Sequence, residues 1–187
     1  NLNLLLELSI NGHWEALDFA VKTMQDLTQR MRFSKGPIVA TPFQLTLGGG
    51  TEIVQPAAHR VAAAETYMGL VEVGVGLIPG GGGNLRMILN AMDGDKGRMG
   101  AFQKIQKTFE AIGFAKVATS ADEAKHLGLI HNDDTIILNR DYLLQAAKEK
   151  AMELSNGYEP PQYRSDLKLP GSGGRTAMAM ALKGFKM

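Results

Sequence analysis

Two runs of glycine constrain this chain more than any other feature of its sequence. The first spans residues 48–50 and is followed by Thr51 and Glu52, and the second spans residues 80–83. Glycine adopts backbone conformations that other residues avoid and lets other groups approach the main chain closely. Each run precedes sequence that favours a helix start, which predicts two tight turns leading into helices. A second acidic residue, Glu72, lies between the runs in an apolar stretch.

Each glycine turn predicts a site for a negatively charged oxygen. A strand followed by a tight turn and a helix start leaves several backbone N–H groups without partners and directed at one place. The helix dipole adds partial positive charge at the same place.

The sequence around the turns favours an acyl oxygen over a phosphate. A Walker-type loop ends in Gly-Lys-Ser/Thr, and a dinucleotide loop needs the Rossmann glycine spacing and a downstream acidic residue; neither run has these features. Glu52 would repel a phosphate but could act beside a thioester oxygen. One backbone donor to such an oxygen is typically worth about 3 to 4 kcal/mol of the barrier.

Glu52 and Glu72 are the candidate acid/base pair. Carboxyl groups in apolar surroundings tend to have pKa values that are raised or pushed apart, which suits one to give a proton and the other to take it. The pair indicates acid/base chemistry at a carbon next to a carbonyl. The alternative is architectural, because a glutamate in the first turn of a helix often only complements its dipole, and a glycine turn is often only a turn.

Hydrophobic periodicity predicts an α/β fold. Apolar residues at helical spacing predict an amphipathic helix, and short apolar runs predict buried strands that alternate with helices. The predicted elements of the first half are helices over residues 2–9, 13–33 and 51–58 and strands over residues 38–41 and 61–64.

The second half is predicted to be mainly helical. Ser120 and Glu123 form a capping-box pattern, Gly128 is placed to end that helix, and Asn139 is placed to cap the next one. The predictions are helices over 84–91, 102–112, 120–127 and 139–155, an exposed turn over 93–97, a linker over 156–176 and a helical tail over 177–187.

Composition limits the partners of the chain. Twenty Lys and Arg against nineteen Asp and Glu give a net charge of +1, so there is no global basic field to attract nucleic acid. The four histidines are scattered and cysteine is absent, so we expect no metal site and a reducing, cytoplasmic compartment. The apolar opening is much shorter than the ~20 residues of a membrane span, so we expect none.

On these residues the chain resembles the crotonase (enoyl-CoA hydratase/isomerase) superfamily. The family pattern runs without a gap over residues 37–86, including Leu-Gly-Gly-Gly-Thr-Glu at 47–52 and Gly-Leu-Val-Glu at 69–72, and residues 120–130 match a later family segment. The resemblance implies an α/β, crotonase-like fold of β-β-α units in a superhelix, truncated at its N-terminus and followed by C-terminal helices. It also implies an acyl-CoA substrate.

More narrowly, the chain resembles the hydratase portion of bacterial fused 3-hydroxyacyl-CoA dehydrogenases of fatty-acid β-oxidation. In those proteins an NAD-binding portion precedes the crotonase portion, so NAD is expected there and no cofactor is expected in this fragment. A homo-oligomer is also expected. The expected division is a crotonase-like core over 1–155, a linker over 156–176 and the start of a truncated helical segment over 177–187.

Carried over position by position, the resemblance implies a role for each candidate residue. Gly49 would donate to the thioester oxygen and carry the enolate charge. Glu52 and Glu72 would hold the attacking water, and Glu72 would deliver a proton to the 2-enoyl-CoA. The expected substrate contacts are Leu47, Gly48 and Gly80, the last with its backbone near the water.

The chain departs from the family pattern at three places. The family's first oxyanion donor lies on a turn that, by our alignment, ends at or just before residues 1–2. Loss of one donor costs ~10²- to 10³-fold in rate, so we expect the isolated chain to be weakly active or inactive. Phe43-Gln44 stands where the family usually has Asn-Gly or Asp-Gly, and Val71 where it often has Pro.

Two alternatives to hydration remain open. The first is Δ3-Δ2 isomerisation of an enoyl-CoA, which can use one glutamate. The second is a structural module that holds the dehydrogenase portion and forms oligomers, because the apolar stripe of helix 102–112 and methionines at 178, 180 and 187 offer an adaptable contact surface.

Overall fold

Helices and short parallel strands alternate in the structure, a computed structural model that describes residues 2–94 and 100–184. The elements of the first half are α1 Leu2–Ile10, α2 Trp14–Arg32, β1 Val39–Ala40, β2 Gln44–Leu47, α3 Gly49–Val54, β3 His59–Ala63, β4 Thr66–Gly69, a 3-10 turn Glu72–Val75 and α4 Gly83–Gly94. The elements of the second half are α5 Ala101–Gly113, α6 Ala121–His126, β5 Thr135–Ile137, a 3-10 turn Arg140–Tyr142, α7 Leu143–Ser155 and α8 Gly171–Gly184.

Parallel pairing joins the strands into two small sheets. One sheet has the order β1-β3-β5, and the other pairs β2 with β4, with Leu47 opposite Gly69. Parallel neighbours require a crossover connection, and α3 lies in the connection from β2 to β4. The carboxyl ends of β2 and β4 therefore lie side by side, and the residues that follow each strand share one edge of the sheet.

Strand β3 is buried along its whole length and separates two parts of the core. Its side chains alternate between faces, as in any strand. Val61 and Ala63 pack against Leu143 and Ala147 of α7, whereas Ala62 belongs to the larger cluster. The buried members of that cluster are Val54, Ala62, Met68, Leu70, Met87, Ala111, Ala118, Ala121, Ala124, Leu129 and Ile130.

A buried ion pair connects β3 to the turn before β5. Arg60 is 1% exposed, and its Nε donates to Asp134 Oδ2 at 2.7 Å while its backbone N–H donates to Asp134 Oδ1 at 2.8 Å. The guanidinium also donates to the carbonyl oxygens of Gln55 and Ala57. The backbone N–H of His131 donates to Asp134 Oδ2 at 2.6 Å, so one carboxylate organises both segments.

The helices predicted over 2–9, 13–33, 84–91, 102–112, 120–127 and 139–155 are present, with ends shifted by a few residues. Ser120 caps α6 by accepting from the Glu123 N–H, and Asn139 caps the following 3-10 turn. The helix predicted over 51–58 differs: it begins at Gly49 and ends at Val54, because Pro56 has no N–H with which to continue the helical hydrogen bonding. Strand β3 begins at His59 rather than at residue 61.

Two further predictions differ from the structure, one at the end of α4 and one at the start of α8. Helix α4 continues through Asp93 and Gly94 where a turn was predicted, and residues 95–97 of that turn lie outside the described residues. Helix α8 begins at Gly171, inside the predicted linker, although glycine and serine have low helix propensity. The predicted tail is helical to Gly184, and residues 185–187 lie outside the described residues. The division into core, linker and tail stays a prediction.

Candidate active site

The first glycine run begins where β2 ends. Gly48 has φ +54° and ψ −123°, a conformation that favours glycine. Its N–H donates to the carbonyl oxygen of Gly69 at 2.8 Å, which continues the pairing of the two strands. A Cβ atom at this position would lie 3.2 Å from Glu72 Oε1. Position 48 therefore requires glycine both for its backbone conformation and for the close approach of Glu72.

Gly49 and Gly50 form the first turn of α3, and both are exposed. The first N–H groups of a helix have no intrahelical acceptor, and the helix dipole gives this end partial positive charge. The Gly49 N–H can therefore donate to the oxygen of a bound ligand. Thr51, which is fully buried, fixes the turn because its hydroxyl donates to the carbonyl oxygens of Thr46 and Gly69.

Glu52 lies in the second half of the first turn of α3 and is held by the second glycine run. Its side chain is buried, and its Oε1 accepts hydrogen bonds from the N–H groups of Gly81 and Gly83, both at 2.8 Å. A Cβ atom on Gly81 would lie 2.8 Å from Glu52 Oε2, and one on Gly83 would lie 3.0 Å from Oε1. The second run thus provides a backbone cradle for this carboxylate, and its other oxygen, Oε2, is left for other partners.

Glu72 begins the 3-10 turn after β4 and is partly buried. Its Oε2 is buried without a hydrogen-bond partner among the residues that the structure describes. Burial raises the pKa of Glu72, the negative charge of Glu52 raises it further, and a hydrogen bond from its own backbone acts in the opposite direction. A carboxyl in this state takes up a proton more readily than an ordinary glutamate.

Both acids lie near the start of α3, Glu52 within the helix and Glu72 beside the Gly48 that precedes it. Glu72 approaches the Gly48 backbone from β4, and the Glu52 N–H donates to the Gly48 carbonyl oxygen at 3.1 Å. The structure thus places Glu72 next to Gly48, and the predicted convergence of Glu52 and Glu72 on one pocket stays a prediction. Their catalytic roles stay predictions.

Helix α2 covers this location from the other side. Met24 Cε lies 3.9 Å from the Cβ position of Gly49, and Met24 Cγ lies 2.7 Å from that of Gly81. Sequence reasoning missed Met24, Gly81 and Gly83 as members of the site. Met24 looked like one more apolar residue of a packing stripe, and the second glycine run gave no sign of which of its amides would face Glu52.

Two predicted substrate contacts have other neighbours in the structure. The carbonyl oxygen of Gly80 accepts from Gln25 Nε2 at 2.9 Å, and it is Gly81 and Gly83 whose amides contact Glu52. Leu47 ends β2 and is partly buried beside Gly69. The role of these residues toward a substrate stays a prediction.

No group of three or more His, Asp or Glu side chains that could hold a metal ion occurs within 2–94 and 100–184. The predicted absence of a metal remains a prediction for the whole chain.

The family profile described as Enoyl-CoA hydratase/isomerase matches residues 4–152. The chain belongs to this family. A Bacillus subtilis (strain 168) protein named "Probable 3-hydroxyacyl-CoA dehydrogenase" is 40% identical over 188 residues, which cover all of this chain and 23% of that protein. The short-chain-enoyl-CoA hydratase of Clostridium acetobutylicum is 30% identical over 67% of this chain and 42% of its own length. The chain thus spans under half the length of these relatives.

Solved structures support the same fold. An enoyl-CoA hydratase/isomerase from Cupriavidus metallidurans CH34 aligns with a TM-score of 0.66 at 19% identity, covering 84% of this chain and 52% of that one. An enoyl-CoA hydratase from Thermoplasma volcanium GSS1 aligns with a TM-score of 0.63 at 18% identity over 100% of this chain and 68% of that one. The expected crotonase-like α/β fold is confirmed.

The structure contains, within its described residues, no helix long and apolar enough to cross a membrane.

Proposed function

We propose that this chain supplies a hydratase site that adds water to the double bond of 2-enoyl-CoA thioesters. The observation that carries the proposal is the presence of three groups near the start of α3. These are the amide of the exposed residue Gly49, the Glu52 carboxylate cradled by the Gly81 and Gly83 amides, and the Glu72 carboxyl, one oxygen of which is buried with no partner among the described residues.

Each group has one task in the proposed reaction. Glu52 accepts a hydrogen bond from the attacking water and orients it, while its two backbone donors keep the carboxylate fixed. The water oxygen adds to C3, and Glu72 gives a proton to C2 and regains one from the water, so that no atom is lost. The negative charge that develops on the thioester oxygen is stabilised by the Gly49 N–H, which is available at the helix end.

The raised pKa of Glu72 suits the proton-transfer role. A general acid or base works best when its pKa lies near the working pH. Burial and the charge of Glu52 raise the pKa of Glu72 above the ordinary value of 4.5.

Separate Glu52→Gln and Glu72→Gln substitutions in the full-length protein test the proposal, because the isolated chain is expected to be weakly active or inactive. Both variants are expected to hydrate crotonyl-CoA more slowly by ~10²- to 10⁴-fold, because each removes one member of an acid/base pair. Glu65→Gln is a matched control, since Glu65 is exposed and lies between the two acids in sequence. Hydration is followed by the loss of the enoyl thioester absorbance. A large loss in only one variant would favour an isomerase, and unchanged rates in both would contradict the site.

We further propose that the chain serves a longer, cytoplasmic β-oxidation protein that assembles as a homo-oligomer. The support is the Bacillus subtilis relative, whose name is that of a dehydrogenase and of which this chain covers 23%. NAD would bind to that other portion, and the CoA of the substrate would be the only cofactor-like group in residues 1–155. Reduction of NAD with a 3-hydroxyacyl-CoA substrate by the longer protein tests this arrangement.

A further inference from the structure

Two arginines lie one helical turn beyond the contact between α2 and the second glycine run. Thr28 Oγ1 of α2 donates to the Gly81 carbonyl oxygen at 2.7 Å and lies 3.4 Å from the Cβ position of Gly82. Arg32 follows Thr28 by one turn on the same face of α2, and Arg86 follows Gly82 by one turn, its N–H donating to the Gly82 carbonyl oxygen at 3.1 Å. Arg32 and Arg86 therefore lie one turn beyond the same contact, and the charge of Arg32 acts on Arg86.

Arg86 is buried without a counter-ion. It is 8% exposed, Arg32 is partly buried, and within residues 2–94 and 100–184 neither side chain makes an ion pair or hydrogen bond. Asp93, the carboxylate whose charge acts on Arg32, already pairs with Arg164 at 2.5 Å.

The electrostatics of this pair are unfavourable without an added anion. Burial lowers the pKa of Arg86 to about 10, and the positive charge of Arg32 contributes to the same shift. Burial likewise lowers the pKa of Arg32, with the charge of Arg60 as the next cause, while Tyr158 and Asp93 act in the opposite direction. Buried charges in proteins are normally paired, because an unpaired one loses its hydration without compensation.

Aromatic residues bring a second segment to the same place. The rings of Phe33 and Tyr163 stack with centroids 4.1 Å apart. This contact holds the stretch after α7 beside the end of α2, near both arginines. The guanidinium groups are thus held between two helices and a packed loop rather than extended freely into solvent.

We propose that Arg32 and Arg86 form a binding site for a tetrahedral oxyanion of the phosphate class. The two guanidinium groups carry two positive charges, which match a phosphate group of about −1.5 to −2 at neutral pH better than a single carboxylate. The planar fork of each arginine can donate two hydrogen bonds to such an anion. The site does not involve Glu52 or Glu72, so it stands independently of the proposed hydratase chemistry.

Calorimetric titration of the protein with inorganic phosphate tests the proposal, with adenosine monophosphate in a second arm and sodium chloride at matched ionic strength as the blank. Saturable phosphate binding is expected, and it should weaken at least tenfold in Arg86→Gln and in Arg32→Gln. Arg175→Gln, which changes an exposed arginine of α8, should bind like the unaltered protein. Tighter binding of the monoester identifies the phosphate of a larger ligand as the natural occupant, and equal or weaker binding identifies free phosphate.

No saturable phosphate binding, or equal binding by Arg86→Gln and Arg175→Gln, would overturn the site. If Arg86→Gln does not fold, Arg86→Lys serves instead, because lysine keeps the charge but lacks the fork and should still bind more weakly. A second measurement uses urea unfolding without phosphate. Arg86→Met should then be at least as stable as the unaltered protein, because an unpaired buried charge is removed. A less stable Arg86→Met would show that the arginine has a partner within the protein and would count against the proposal.

Discussion

Gly81 is required because its close neighbours leave no room for a side chain, and not because of its backbone conformation. Its Cβ position lies 2.7 Å from Met24 Cγ and 2.8 Å from Glu52 Oε2, closer than real Cβ atoms come to such neighbours. One methyl group at position 81 would therefore push on the side chain that covers the site and on the carboxylate that the site is built around.

We expect Gly81→Ala to destabilise the protein by about 1 to 3 kcal/mol, the usual cost of overpacking a close contact. Gly36→Ala is the control, because its Cβ position has no atom within 4 Å. Urea unfolding followed by circular dichroism measures both. Equal stability of the two variants would mean that Met24 and Glu52 can move aside freely.

Glu72 gives the protein a pH dependence with a definite sign. Its folded-state pKa is raised above the ordinary value of 4.5 by burial first and by the Glu52 charge next. The folded state therefore binds the proton more tightly than the unfolded state, and stability is lost as pH rises from about the ordinary value through the raised pKa.

Replacing Glu72 with glutamine should remove this loss. Glu72→Gln is expected to be more stable than the unaltered protein at neutral pH and to lose that advantage as the pH falls below 4.5, where both forms are neutral. Urea midpoints measured across this pH range test the expectation, with exposed Glu65→Gln as the control. If the difference in stability between Glu72→Gln and the unaltered protein is the same at all pH values, the substitution acts through packing and not through the titration of Glu72.

At the scale of elements, Asp134 joins parts of the sheet that short strands alone hold weakly. Strand β5 has three residues, so its pairing with β3 supplies little hydrogen bonding. The carboxylate adds bonds from the Arg60 side chain, the Arg60 backbone and the His131 backbone.

Removing the carboxylate should leave Arg60 charged and buried. We expect Asp134→Asn to lower the free energy of unfolding by about 3 to 5 kcal/mol, because it leaves the Arg60 charge buried without its partner. The double variant Arg60→Met/Asp134→Leu should recover part of the loss, since it removes both charges. Denaturant unfolding measures the series, and a double variant less stable than Asp134→Asn would contradict the charge argument.

Long periodic elements could be predicted from the sequence, and so could short ones with a capping pattern or an apolar run, but strand β2 could not. Helix α2 has an apolar stripe over five turns, which no strand pattern imitates. Strand β2 has only four residues, and it begins with Gln44 at φ +51°, a conformation that no periodicity marks. Gln44 stands where the resembled family usually has glycine. The resemblance to the family therefore indicated the unusual backbone conformation at this position, whereas the local sequence pattern did not.

The two acids of the site could be predicted, but their surroundings could not. Glu52 and Glu72 sit beside glycines in sequence, so the neighbouring residues themselves indicated a site. The contacts from Met24 to Gly81 and from Glu52 to Gly83 join residues far apart in sequence. Such contacts depend on how α2 and α4 pack, which the pattern of one helix does not determine.

At the scale of the whole molecule, α2 fixes the second glycine run and thereby the cradle of Glu52. Thr28 is buried and donates to the Gly81 carbonyl oxygen at 2.7 Å, and exposed Gln25 donates to that of Gly80 at 2.9 Å. The amide of the same Gly81 donates to Glu52. A helix distant in sequence from both acids therefore sets the position of one of them.

Thr28→Val tests this dependence, because valine keeps the shape of threonine but cannot donate to Gly81. The carbonyl oxygen left buried without a donor should cost about 1 to 3 kcal/mol of stability. The amides of Gly81 and Gly83 should also exchange with deuterium faster, by more than the loss of global stability explains. The reason is that the glycine run that holds Glu52 is loosened locally. Gln25→Ala removes an exposed bond to the neighbouring carbonyl and should change stability and exchange little. If the Gly81 and Gly83 amides exchange no faster in Thr28→Val than global unfolding requires, α2 contributes packing to the fold but does not position Glu52.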